Sequence, residues 1–258
     1  MLFKDSVITY PRTDNGYKSI KSLNFDMMRT DIFVKRAEPK TFWMFKWFAY
    51  FMIGVFTGCT AFCMDILEHN MVHYRNYFFF KILVLPENTY FAWAFLMMWC
   101  IVIAGLASYL TITIGPGAAG SGVPECMAYL NGVNYPNLIC FKTFIIKCIC
   151  VVMVISTNLF VGKEGPLAHI GANIGVLVIY YTPFKLFEYF KNDVSKRELA
   201  AAGISAGVSA AFGAPIGGCL FSYEISKPTT FWSFDMLWMT FFCSAVSTAT
   251  ISFLKQLK

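Results

Sequence analysis

The run Cys148–Phe184, CICVVMVISTNLFVGKEGPLAHIGANIGVLVIYYTPF, is 37 residues long and carries charge only at Lys163 and Glu164. A helix crossing a bilayer needs roughly 20 predominantly apolar residues. Cys148–Gly162 supplies 15, and Gly165–Phe184 starts again after the charged pair. Gly162-Lys163-Glu164-Gly165-Pro166 therefore reads as the end of one helix and the start of another, because proline is tolerated in a first turn, where backbone N–H groups lack intrahelical partners. Ile114–Pro124, IGPGAAGSGVP, is a second such break, and Ala214–Pro215 divides the uncharged run Leu199–Tyr223. Irregular backbone at membrane depth is tolerated only inside protein or along a wet cavity. Breaks of this kind point to a solute pathway.

The rest of the chain agrees. Of 258 residues, 57% are apolar and 14% charged. Trp47–Met64, Asn88–Pro124 and Met236–Leu254 are uncharged for 18, 37 and 19 residues. That pattern excludes a soluble enzyme and defines a polytopic membrane protein. Span one is expected over Phe42–Ile66, with Lys46 at its interfacial entrance, then a loop over Tyr74–Glu87 and span two over Tyr90–Ile114. Residues 1–41 read as a polar, irregular cytoplasmic tail with a short helix over Phe25–Arg36. The first 47 residues hold nine Lys/Arg against five Asp/Glu, and a basic bias before a first span places it on the cytoplasmic side. Nothing there has the aromatic interleaving of a nucleic-acid surface. Lys185, Lys191, Lys196 and Arg197 mark a second cytoplasmic loop before Leu199.

Three candidate sites follow from the breaks. Gly115–Gly120 matches G-x-G-x-x-G, but no acidic residue follows between Glu125 and Glu164 to hold a ribose, so no nucleotide is expected. Ser121 suits an N-cap for a helix starting at Ser121–Pro124. The free N–H groups and positive helix end would then favour an anion, with the Ser121 hydroxyl adding a donor; an ordinary capped turn fits the same residues. Glu164 puts a carboxylate in the first turn of a half-helix, where ionised groups are costly and functional by default. It can sit where an anion would sit and be released by protonation, or form a structural pair with Lys163. His169, five residues on, either tunes Glu164 or packs.

Other features carry no chemistry. Glu68, His69 and His73 lack the H-E-x-x-H order, so no metal site is expected. The nine cysteines lie in apolar runs and read as buried thiols. Ala200–Gly218, with 14 Ala, Gly or Ser in 19 residues and the GxxxG of Gly203–Gly207, reads as tight helix packing.

GSGVPE (Gly120–Glu125), GKEGP (Gly162–Pro166) and AAFGAPIGGCLFSYE (Ala210–Glu224) resemble, in order, three signature segments of the CLC chloride channel and chloride–proton exchanger family. KSLNFD (Lys21–Asp26), YLNGV (Tyr129–Val133) and Phe231–Phe253 are most similar to its late-endosomal and lysosomal branch. The resemblance runs from about Lys21 to the C-terminus. It implies an all-α integral membrane fold of about eight helices: the first inverted-repeat half of a CLC-type membrane domain, residues 42–258, with discontinuous, tilted and half-spanning helices. It further implies chloride as the transported ion with no cofactor, Ser121 coordinating the central anion, and Glu164 as the gate competing with anion. Backbone amides around Gly122–Val123 and Lys163–Gly165 would complete the cradle.

Two departures qualify what the resemblance implies. The family's exchangers carry a second acid after the one matched by Glu224, as inner proton acceptor; here Ile225 stands there, as in the channels. The family's second half, with its own anion-cradling helix, has no counterpart before Lys258. Two readings follow: a chloride-conducting endomembrane protein, channel-like at Ile225, that pairs with itself or with a second half; or a non-conducting subunit that binds and regulates full-length relatives through Pro215–Lys227 and Phe231–Leu254.

Overall fold

The computed structural model describes residues 7–9, 21–23, 40–84, 89–133, 135, 137–181, 193–226 and 232–257. Among them are eight α-helices: α1 Lys40–Leu83, α2 Thr89–Thr113, α3 Val123–Leu130, α4 Phe141–Ser156, α5 Glu164–Tyr181, α6 Asp193–Phe212, α7 Pro215–Ser226 and α8 Phe234–Gln256. In the tail, which the sequence reads as irregular, Val7–Thr9 and Lys21–Leu23 pair as antiparallel strands with Val7 opposite Leu23; Val, Ile and Thr stiffen that short segment toward β conformation. The expected helix over Phe25–Arg36 lies outside the described residues, as do Lys185 and Lys191.

Helix α6 is the hub, packed against α1, α5, α7 and α8. Its contact with α5 is made backbone to backbone. A methyl group built on Gly203 would stand 2.0 Å from the Gly171 carbonyl oxygen, and one on Gly171 would stand 2.1 Å from that of Gly203. Gly175 faces the Leu199 carbonyl and Gly207 that of Leu167 in the same way, at 2.2 Å each. Four glycines on two helices thus let the axes approach at a distance no side chain allows, the reason small residues line helix interfaces in membranes. Ala200, Ala201, Ile204 and Val208 of α6 complete an apolar cluster with Cys126, Ala168, Ala172 and Ile225.

The break between α6 and α7 falls where the sequence places it. Gly213 has φ +66° and its N–H donates to the Ser209 carbonyl at 2.8 Å. Glycine takes this left-handed turn without a Cβ penalty, and Pro215 then opens the next helix.

Two boundaries differ from expectation. Helix α1 does not end near Ile66 but runs unbroken through the segment expected to be a loop, Tyr74–Leu83. At 1.5 Å per residue its 44 residues extend about 66 Å, twice the hydrocarbon core, so it tilts or leaves the bilayer. Its far end is anchored by Arg75, which is buried and whose Nη1 donates to the Ser156 carbonyl at 2.8 Å, an oxygen of the last turn of α4. A cation at a helix C-terminus is electrostatically favoured. The segment before Leu199 is likewise not a solvated basic loop from end to end. Helix α6 starts at Asp193, and Arg197 is 1% exposed, its guanidinium 4.7 Å over the Tyr129 ring and donating to the Tyr129 carbonyl at the end of α3. Lys46 pairs with Glu198 at 3.0 Å, tying α1 to α6.

Among the described residues, α1, α2 and α8 are long and apolar enough to cross a membrane. Helix α2 buries only Ala92 and Ala107 and shows large apolar side chains elsewhere, Trp93, Ile101 and Ile112 among them. A helix apolar all round belongs in lipid or against further protein.

Candidate functional site

The chain reverses direction at two places that meet. After α2, a single 3₁₀ turn at Pro116–Ala118 leads to Gly120 and Gly122, with φ of +64° and +81°, and α3 begins at Val123. After α4, the segment to Lys163 leads to α5 at Glu164. A methyl group built on Gly165 would lie 2.9 Å from Ser121 Cβ and 3.7 Å from Ser121 Oγ. The N-termini of α3 and α5 therefore converge, with Ser121 and Val123 against Gly165, and Gly122, Lys163 and Glu164 as their neighbours along the chain. Both helix ends present partial positive charge there.

Ser121 is exposed, and its place differs from the expected one. The N-cap of α3 is Gly122, with no side-chain cap; the Ser121 hydroxyl lies a residue earlier and accepts from Val123 N–H at 3.3 Å. Gly122 takes the cap because its φ of +81° suits only glycine, and because the buried His169 ring fills the space beside it, 2.3 Å from where a Cβ would stand. Pro124 follows within the first turn.

His169 packs, one of the two roles considered for it. It is fully buried in α5, its Nε2 at 3.0 Å from the Leu138 carbonyl, and it floors the Gly122 turn. Since a carbonyl only accepts, Nε2 carries the proton in that contact.

Glu164 opens α5 as its first residue, and Leu167 N–H closes the turn on the Lys163 carbonyl at 2.9 Å. Its carboxylate folds back over Gly162, where an added methyl group would stand 2.0 Å from Oε2. Among the described residues Glu164 makes no ion pair. The structural Lys163–Glu164 pair does not form: Lys163 Nζ lies 2.7 Å from Asp65 Oδ1 and 3.1 Å from Glu68 Oε2, both on α1. Glu68, weighed with His69 and His73 as a metal pattern, is engaged in that pair, and the His73 ring packs edge-on to Tyr74.

Lys147, directly before the apolar run Cys148–Gly162, is a further residue of the site. It is 1% exposed in α4, and its ammonium donates to the carbonyls of Ala118 at 3.2 Å and Gly120 at 2.9 Å. It thus ties down the loop that presents Ser121. The signal was present, since a lone lysine inside an apolar run is a functional candidate by the same argument as Glu164. An open groove of about 340 Å³ runs between Thr111, Gly120, Lys147, Val154, Gly162 and Pro166.

Ile225, where the inner acid of the exchangers is expected, is 5% exposed within the apolar cluster of α3, α5 and α6, and the neighbouring Glu224 is exposed.

Two half-helix N-termini thus converge in a predominantly α-helical fold that has, among the described residues, three helices long and apolar enough to cross a membrane. Residues 103–258 match the family model described as voltage gated chloride channel, and the chain belongs to that family. It is 35% identical over 250 residues to H(+)/Cl(-) exchange transporter 7 of Homo sapiens, covering 90% of this chain and 31% of that protein. Against chloride channel protein CLC-c of Arabidopsis thaliana it is 33% identical over 240 residues, with 88% and 30% covered. Its fold is similar to the crystal structure of a eukaryotic CLC transporter, with TM-score 0.70 and 20% identity over 85% of this chain and 39% of that one. A slow cyanobacterial Cl-/H+ antiporter matches at TM-score 0.67 and 21% identity, covering 80% and 46%. The chain spans about a third of the length of the curated relatives it matches.

Proposed function

We propose that the chain supplies one half of a chloride pathway, in which the anion sits between the α3 and α5 N-termini and Glu164 gates it. The observation that carries this reading is the convergence of Ser121 with Gly165. Backbone N–H groups of the first turn and a hydroxyl favour an anion there, and the Glu164 carboxylate, in no ion pair among the described residues, competes for the same positive end. Protonating Glu164 removes its charge and its competition. As Ile225 offers no proton acceptor, flux is channel-like, without obligatory proton exchange. A second half, from a further segment or another chain, closes the exposed side of the groove, and the sequence likeness to the lysosomal branch supports an endosomal or lysosomal membrane.

The test is chloride efflux from liposomes carrying the 258-residue chain. Wild-type flux should rise with acidification, and Glu164→Ala flux should be insensitive to pH. A mutant pH response like that of wild type sinks the gating role. Well-inserted protein without flux instead favours the second reading, a subunit acting through full-length relatives; α7 and α8, which expose Ile216, Leu220, Trp238 and Phe253, support that surface. Co-purification with a full-length relative, lost on Ile216→Lys, would establish it.

A further inference from the structure

Lys163 is covalently next to Glu164, yet its charge is committed elsewhere. Asp65 and Glu68 are three residues apart on α1 and so share one face of that helix. Lys163 Nζ is held between them at 2.7 and 3.1 Å, and the second oxygen of Asp65 takes Lys255 Nζ from α8 at 3.0 Å. The four side chains carry two positive and two negative charges, so the cluster is neutral. Asp65, Glu68 and Lys163 are each only 25–30% exposed, which weakens solvent screening of their contacts relative to a surface pair. The Glu164 carboxylate meanwhile lies over Gly162 and, among the described residues, pairs with no cation.

We propose that Asp65 and Glu68 are positioning residues that keep the Lys163 ammonium away from Glu164, so that the carboxylate moves free of its own neighbour. This rests on reading Glu164 as the gate. A lysine has a long flexible stem and three donors, and nothing in the covalent geometry bars it from turning to the adjacent carboxylate. An ion pair with Glu164 would hold the gate and cancel part of the positive charge that draws the anion. Two acids rather than one outcompete Glu164 for the ammonium, and Lys255 relieves the repulsion their second negative charge would otherwise create.

The test reads Lys163 directly. The full chain in lipid nanodiscs is acylated with an N-hydroxysuccinimide acetate, and modification of Lys163 is followed by mass spectrometry in wild type, D65N/E68Q and D65N/E68Q/E164Q. Protection in the double variant should remain within about twofold of wild type, because Glu164 takes over the ammonium, and the triple variant should react at least fivefold faster. Equal reactivity of the double and triple variants overturns the proposal. If the double variant does not insert, Glu68→Gln with and without Glu164→Gln gives the same comparison. In flux assays D65N/E68Q should lower chloride efflux severalfold in the Glu164 background and not in E164Q; an equal proportional loss in both backgrounds marks a structural role and also overturns it. The labelling result stands apart from the gate, so failure of the gating reading shows separately as an E164Q chain whose flux keeps the pH response of wild type.

Discussion

Gly165 and Ser121 stand in contact across the start of two different helices: a methyl group on Gly165 would come within 2.9 Å of Ser121 Cβ. Ser121 meets the bare backbone of Gly165 with its own Cβ, so the spacing between the α3 and α5 N-termini depends on the absence of a Cβ at 165. Gly165→Ala must push Ser121 aside. Overpacking of this kind costs about 1–3 kcal/mol, and chloride flux or chloride-dependent thermal protection should fall severalfold, more in Gly165→Val than in Gly165→Ala.

Ser121→Pro tests the hydroxyl. It removes the side-chain donor and the acceptor that holds Val123 N–H, while leaving the α5 end intact. The nitrate-to-chloride flux ratio should rise, and an unchanged ratio would show that Ser121 does not set selectivity here.

Lys147→Met keeps the stem of the side chain and deletes the charge. The Ala118 and Gly120 carbonyls lose their donor, and leaving the buried one, at Ala118, unsatisfied costs about 1–3 kcal/mol. The loop before Ser121 should loosen, which hydrogen exchange at Gly115–Gly122 would detect as faster than in wild type. Half-maximal chloride should rise without loss of the folded fraction.

Gly203→Val tests the α5–α6 contact. With the Gly171 carbonyl 2.0 Å from the new Cβ, the helices cannot close to their present distance. The variant should lose monodispersity in detergent and lower its melting temperature by several degrees at least, whereas Gly105→Val, at a glycine with no neighbour within 4 Å, should change neither.

Arg197→Leu removes a buried cation from the Tyr129 carbonyl and ring. Loss of this contact should destabilise the end of α3 by about 1–3 kcal/mol, read as a lower melting temperature, with Lys196→Leu on the same helix as the control.

Much of the architecture was legible along the chain because membrane depth is a one-dimensional constraint. Charge-free runs of span length, a lysine–glutamate pair interrupting one of them, and Gly/Pro segments that no helix can pass gave α2, the broken entries to α3 and α5, and the stop at Gly213. These follow from backbone sterics and from the cost of charge in hydrocarbon, and both act residue by residue. Ser121 and Glu164 stood out for the same reason.

Pairings across the fold were not legible. Lys163 has an acid beside it in sequence, yet it turns to Asp65 and Glu68, about a hundred residues away. Arg197 looked like loop charge until Tyr129 covered it, and α1 looked finished at Ile66 until Arg75 found the end of α4. Which partner a charge takes depends on what the packed helices bring within about 4 Å and what water they exclude. The amino-acid sequence alone determined where this chain must break its helices. Tertiary packing alone decided that two of those breaks face each other, and which cations stand guard around them, because convergence and desolvation are properties of the assembled helices and of no single segment.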